Sequence, residues 1–177
     1  MATIKRINDH QLVRYAINRD LPDMLRIEKE NSDYPLSEDE FLLKLKERTV
    51  IGSVYTNDDE IIGFLVYGVN RGFYDIVNLS IDKNWQRKGI GTNYVDVIKN
   101  KLDNSPSRDF IQTMVRESDL SLQLFFREQG LKGVLVFNEW FEDTSEDGYL
   151  MEFKKKKSGV YVPKNRISEH LNGTPIW

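Results

Sequence analysis

The chain has 177 residues, 40% hydrophobic and 30% charged, with a net charge of -3 and a pI near 5.5. That composition predicts one soluble globular domain with a full core, and no basic excess points to nucleic acid or an anionic membrane. No apolar stretch reaches the ~18–20 residues of a membrane helix, and the polar start, Met1 to Asn8, lacks a signal-peptide core. The absence of cysteine excludes disulfides, Cys-based zinc sites and a thiol nucleophile, and with only His10 and His170 no metal site is expected.

In chain order, Gln11 to Ile17 reads as a strand. Asp20-Leu-Pro-Asp opens a helix, with Asp20 as N-cap and Pro22 in the first turn, where its missing N–H costs little. The helix carries Met24, Leu25 and Ile27 and ends near Asn31. A loop with Tyr34 and Pro35 follows. Ser37-Glu-Asp-Glu40 is a capping box for a second helix with Phe41, Leu42 and Leu45 as its apolar stripe. Val50 to Thr56 and Ile61 to Val69 form a hairpin around Asn57-Asp58-Asp59. Tyr74 to Ile81 is a further strand. Ile90, Tyr94, Ile98 and Leu102 make one stripe of a helix. Phe110 to Val115 is a short strand, and Ser118 caps a helix that stops at Gly130. Leu131 to Phe137 and Tyr149 to Phe153 are the last strands. The order β α α β β β α β α β β predicts an α+β domain with helices on a sheet. Residues 1–157 are expected to form the domain and 158–177 a tail, packed on it or free.

The most informative segment is Leu79-Ser-Ile-Asp-Lys-Asn-Trp-Gln-Arg-Lys-Gly-Ile-Gly-Thr92. A strand ends, a basic loop follows, and two glycines open a helix. Glycine lets backbone approach a ligand, and free N–H groups at a helix start favour anions. Arg87 and Lys88 add positive charge, so a diphosphate site is expected. The turn lacks the third glycine of a dinucleotide fingerprint and the Gly-Lys-Ser/Thr of a Walker loop. Taken alone, it is equally an ordinary strand–turn–helix corner.

Gln86-Arg-Lys-Gly89-Ile-Gly91 resembles the Gln/Arg-x-x-Gly-x-Gly/Ala signature of GNAT N-acetyltransferases. Four other segments resemble RimI-type N-terminal acetyltransferases, in family order over about residues 11–153. These are Ile27-Glu-Lys-Glu to Phe41, Val115-Arg-Glu-Ser-Asp119, Leu124 to Gly130, and Glu142-Asp to Tyr149. The resemblance implies the GNAT fold, a mixed, mainly antiparallel sheet flanked by helices. It implies acetyl-CoA as co-substrate, bound by Leu79, Ser80, Ile81, Arg87, Lys88, Gly89, Ile90, Gly91 and Thr92. Asp119, where the family has Asn, is either a pantetheine neighbour or a helix-start acid favoured by the dipole.

Amine attack on a thioester is helped by a general base and acid. The family's Glu and Tyr are replaced by Met114 and Phe126, which cannot exchange protons. Asp75, on the strand leading to the turn, is a candidate base acting through water, and Tyr149 a candidate acid. Glu30 and Asp33 are candidates to orient the amine. The resemblance places the acceptor between the first-helix loop and the last hairpin loop, near Tyr34, Trp140 and Phe141, with Glu139, Glu142, Asp143, Glu146 and Asp147 as an acidic rim. The implied acceptor is a protein N-terminus, with a small-molecule amine as the alternative and a non-catalytic acyl-CoA-binding module as another. A monomer or weak dimer in the cytoplasm is expected.

Overall fold

The computed structural model describes residues 5–8 and 10–155. The tail expected over 158–177, and Lys156 and Lys157 of the basic run, lie outside them. The strands are β1 (Lys5–Arg6), β2 (Gln11–Tyr15), β3 (Val50–Asn57), β4 (Glu60–Val69), β5 (Phe73–Ile81), β6 (Phe110–Arg116), β7 (Lys132–Phe141) and β8 (Glu146–Lys154). The helices are α1 (Leu21–Asn31), α2 (Glu38–Lys46), α3 (Ile90–Asp103) and α4 (Leu120–Glu128). Two short 3₁₀ turns, Asn18–Asp20 and Lys83–Trp85, lead out of β2 and β5. One sheet holds every strand in the order β1-β2-β3-β4-β5-β6-β8-β7. All pairs are antiparallel except β5 with β6, which run parallel because α3 carries the chain across between them.

The central strands of the sheet are buried on both faces, whereas the edge strand β7 is exposed. On one, Ile90, Tyr94, Val95, Ile98 and Leu102 of α3 and Phe126 of α4 pack on Tyr55, Leu65, Tyr67, Ile76, Ile111 and Val115. On the other, Met24 and Ile27 of α1 and Phe41 of α2 pack on Val54, Phe64 and Val66. Burial on two faces explains why β4 reads as a nearly unbroken apolar run rather than an alternation. Ladder shifts at Tyr55/Thr56 and Val66/Tyr67 change which face receives each residue.

Several boundaries differ from the sequence reading. The strand expected over Gln11 to Ile17, β2, stops at Tyr15, and the last two are longer than expected, reaching Phe141 and starting at Glu146. Ser118 is not the cap of α4: the Asp119 carboxylate accepts the Leu122 N–H at 2.9 Å. Gly130 does close α4, at φ +84. Ser37 and Glu40 form the expected reciprocal capping box. Asp20 precedes α1, but its carboxylate caps no helical N–H. It accepts both Arg14 guanidinium nitrogens, at 2.6 and 2.8 Å, and the Ile17 N–H at 2.8 Å. Lys155 is tied down as well: its ammonium donates to the Leu102, Asp103 and Ser105 carbonyls at the end of α3.

Asp20 is only 2% exposed. Burial pushes its carboxyl up, but the Arg14 fork and the Ile17 N–H outweigh this and hold it below the usual range. Asp20→Ala leaves Arg14 half-buried without its partner, and we expect a loss of about 3 kcal/mol in urea unfolding. Because the folded-state carboxyl is depressed, its contribution is present above the unfolded carboxylate range. It is lost as pH falls through the folded value, so the gap between wild type and variant should close in acid.

Candidate active site

The parallel ladder of β5 and β6 covers Phe73 to Ile76 against Phe110 to Thr113 and then stops. Beyond it both strands continue. β5 keeps to β4 as far as Ile81, and β6 keeps to β8 as far as Arg116. The sheet therefore parts in its middle, and each strand turns an unpaired backbone edge toward the gap. The last paired residue of β5 is followed by a bulge: Tyr67 faces Ile76 and Val66 faces Asn78, leaving Val77 without a partner on β4. Leu79, Ser80 and Ile81 line the open stretch. The Ser80 hydroxyl accepts from the Asn31 side chain, and the Ile81 carbonyl from Asn31 and Gln86, so α1 grips β5 on its outer face.

The glycine turn closes one end of the gap. Arg87 (φ +61) and Gly89 (φ +81) are left-handed on either side of Lys88. Such alternation turns successive N–H groups to one concave side. Gly89 is the N-cap of α3 and offers no capping side chain. The first backbone N–H of the helix with an acceptor is Asn93, bonded to the Gly89 carbonyl; among the described residues, those of Arg87 through Thr92 have none. A side chain at Gly91 would press its Cβ within 3.1 Å of the Phe125 ring, so this glycine serves the contact of α3 with α4. Gln86, part of the signature, has its amide committed to Asn31 (2.8 Å) and Ile81. Arg26 of α1 bonds Asp82 at 2.9 Å, and Asp82 accepts the Asn84 N–H. Burial raises the Asp82 carboxyl, but these donors hold it below its ordinary value. Arg26, Asn31 and Asp82 thus fix the turn. Arg26 and Asn31 both lie on α1, and each finds its partner 50 or more positions away in the chain.

On the face of α1 and α2 the wall is built around Arg116. Its guanidinium lies 4.6 Å from the Tyr34 ring and 4.0 Å from the Phe141 ring. It also bonds Asp143 at 2.6 Å, Thr144 at 2.9 Å and Glu146. The two loops named from sequence therefore meet, through a residue that sequence reasoning did not single out. Trp140 arrives differently. β7 carries extra residues between Phe137, opposite Gly148, and Phe141, opposite Glu146, and Glu139 there has φ +50. This swings Trp140 over Gly148, where an added Cβ would lie 2.8 Å from both the Trp140 Cβ and the Met114 sulfur. Trp140 stays 51% exposed.

The protonatable groups divide between the faces. Asp75 stands opposite Gln112 in the paired part of β5, below the gap. Its carboxyl is raised by burial, partly offset by the Gln112 amide and by Lys44 of α2. Tyr149 stands opposite Val115, on the α3/α4 face, and donates to Glu117 at 3.1 Å, a bond that raises its pKa. It also lines a groove of ≈ 710 Å³ between α4 and β7. Met114 faces the gap's other side with Gly148. Phe126 is 1% exposed, a core residue. Glu30 is drawn to Arg26 at 3.2 Å. Glu28, which the sequence reading passed over within Ile27-Glu-Lys-Glu, is 7% exposed between α1 and β5. Asn78 and the Leu36 N–H face its carboxyl, which burial raises. Asp119 is used as the cap of α4.

Arg116→Ala should free both loops. We expect amide exchange over 32–36 and 141–147 to quicken about tenfold, the effect of roughly 1.4 kcal/mol. Exchange over 87–92 should be unchanged.

Residues 14–131 match the acetyltransferase (GNAT) family. The chain is 25% identical over 155 residues to the uncharacterized N-acetyltransferase MJ1530 of Methanocaldococcus jannaschii, covering 81% of this chain and 92% of that protein. Among solved structures it resembles the ribosomal-protein-S18-alanine N-acetyltransferase of Escherichia coli, with a TM-score of 0.71 at 18% identity over 86% of this chain and 98% of the other. It also resembles NAA60 of Arabidopsis thaliana in complex with a bisubstrate analogue, with a TM-score of 0.72 at 12% identity over 82% and 99%. The parted strands, the glycine turn and the extent of the match lead to one conclusion: the chain belongs to the GNAT acetyltransferase family.

Proposed function

We propose that this chain transfers the acetyl group of acetyl-CoA to a primary amine, with the N-terminal amine of a protein as its acceptor. The observation that carries the reading is the run of unpartnered N–H groups from Arg87 to Thr92 beside a gap that exposes β5 backbone. A diphosphate is the ligand these amides fit, helped by Arg87, Lys88 and the positive end of α3. A pantetheine arm, itself a chain of amides, fits the open edge of Leu79, Ser80 and Ile81. Ile90, Gly91 and Thr92 contribute through backbone, and Asp119 acts by setting the start of α4. Acetyl-CoA supplies an activated acyl carbon. The chain supplies placement and an unpaired strand N–H for the developing oxyanion.

The preference for a protein N-terminus draws support from the neighbours: one similar structure is a ribosomal-protein-S18-alanine N-acetyltransferase, and another, NAA60, is in complex with a bisubstrate analogue. Tyr34, Trp140 and Phe141 would flank the acceptor, and the exposed Glu139, Glu142 and Asp143 would favour a cation there. On this face Asp75 lies below the gap, and as a base it would act only through a water. Tyr149 is the proposed acid on the other face. We further propose a monomer or weak dimer working in the cytoplasm.

Thiol release from acetyl-CoA, followed over peptides with free N-termini, N-blocked peptides containing lysine, and small amines, tests the reading. Turnover on free N-termini is expected. Turnover on small amines alone would replace the acceptor, and tight acetyl-CoA binding with no turnover would make the chain a binding module. Gly89→Ala, which forces a side chain into a left-handed position at a cost of about 1–2 kcal/mol, should weaken acetyl-CoA binding roughly tenfold in calorimetry.

A further inference from the structure

Glu28 is the buried acid for which the fold offers no counter-ion. Among the described residues no Lys, Arg or His lies within ion-pair distance of it, whereas Asp20 has Arg14 and Asp82 has Arg26. Its visible partners are neutral: the Asn78 amide and the Leu36 N–H. Keeping a buried carboxylate charged among neutral partners is costly, and buried acids of this kind cluster at functional sites.

Its location says which cation. Asn78 is the residue that follows the bulge, in the part of β5 that has left β6. Leu36 belongs to the loop of Tyr34, whose ring packs on Arg116 across the face. Glu28 therefore sits where the parted strands, the bulge and the acceptor loop converge, on the face of α1 and α2. Other charges nearby are engaged elsewhere. On its own helix, Arg26 is bound to Asp82 and Glu30. On β5, Asp75 faces Gln112 and Lys44. From the loop, Leu36 presents only its N–H.

We propose that Glu28 receives the acceptor's ammonium group and takes the proton that must leave before attack. This rests on the amine-acetylation reading above and adds to it the group that recognises a free amine. One proton passes from R–NH₃⁺ to the Glu28 carboxylate. The nitrogen lone pair then forms a bond to the thioester carbonyl carbon, and the carbon–sulfur bond breaks. The second N–H proton ends on the thiolate, giving the amide and the thiol, and Glu28 returns its proton to solvent. The aprotic Met114 leaves this task open on β6, and Glu28 fills it from the helix.

The test uses the full chain with CoA present and two fluorescent peptides of one sequence, one with a free N-terminus and one N-acetylated. Wild type should bind the free peptide at least tenfold more tightly near neutral pH. That preference should vanish as acid protonates Glu28, a measurement that needs no variant. In Glu28→Gln the preference should be lost, acetyl-CoA affinity should be kept, and kcat/KM for the free peptide should fall about 10²-fold. Removing the group should also flatten the stability profile. Its raised folded-state pKa contributes stability at low pH that disappears as pH rises through that value, so the variant should gain on wild type toward neutrality. Equal binding of the two peptides by wild type, a preference that survives in Glu28→Gln, or loss of acetyl-CoA affinity in that variant would overturn the proposal. A fall in activity in Asp75→Asn with Glu28→Gln unaffected would give the proton to Asp75 instead. Failure of the acetyltransfer reading looks different: wild type would show no thiol release with any amine, whatever its peptide preference.

Discussion

The candidate site as a whole depends on the parting of two neighbouring parallel strands. β5 and β6 share four paired positions and then separate. Unpaired backbone inside a protein is costly unless it is solvated or finds a ligand. The parting is tolerated because each strand is held on its outer side, β5 by β4 and β6 by β8, so half of each strand's hydrogen bonds remain. The bulge at Val77 turns β5 away just where the separation starts. Cores on both faces of the sheet keep the two halves from closing on each other.

The turn that follows β5 continues the same theme of backbone left without partners. Its amides are offered outward while its side chains are spent on anchorage: Gln86 on Asn31, Asp82 on Arg26 and on the Asn84 N–H. Lys88 lies 4.5 Å over the Trp85 ring, which steadies one of the two cations. Helix α1 is thereby tied to the turn by one of its faces, while Glu28 on the same helix meets Asn78 of β5 and the Leu36 N–H of the loop that carries Tyr34. Movement of α1 would be felt both at the turn and at that loop.

The sequence was most informative where structure is local. The capping box at Ser37, the stripe of α3, the glycine stop at Gly130 and the opening of α3 at the glycine turn each depend on residues a few positions apart, and each has the local structure expected of it. It was silent where a residue's partner is distant. Asp20 looked like a cap because Asp precedes many helices, yet the long-range geometry gives it to Arg14. Glu28 and Arg116 looked like ordinary charged residues, because burial of the first and the two aromatic neighbours of the second come from separate elements. The ladder shift near Trp140 had no legible turn signal, and the strand was read as ending at Phe137.

The central claim is that unpaired amides of the gap and the glycine turn hold the donor. Amide-resolved NMR of the chain titrated with CoA reads those groups one by one. The account predicts large shifts and slowed exchange at Leu79 and Ile81, whose N–H groups point away from β4, and at Arg87 to Thr92, with the distant β2–β3 edge around Asp58 unmoved. Saturation with CoA that leaves these amides unchanged would contradict it.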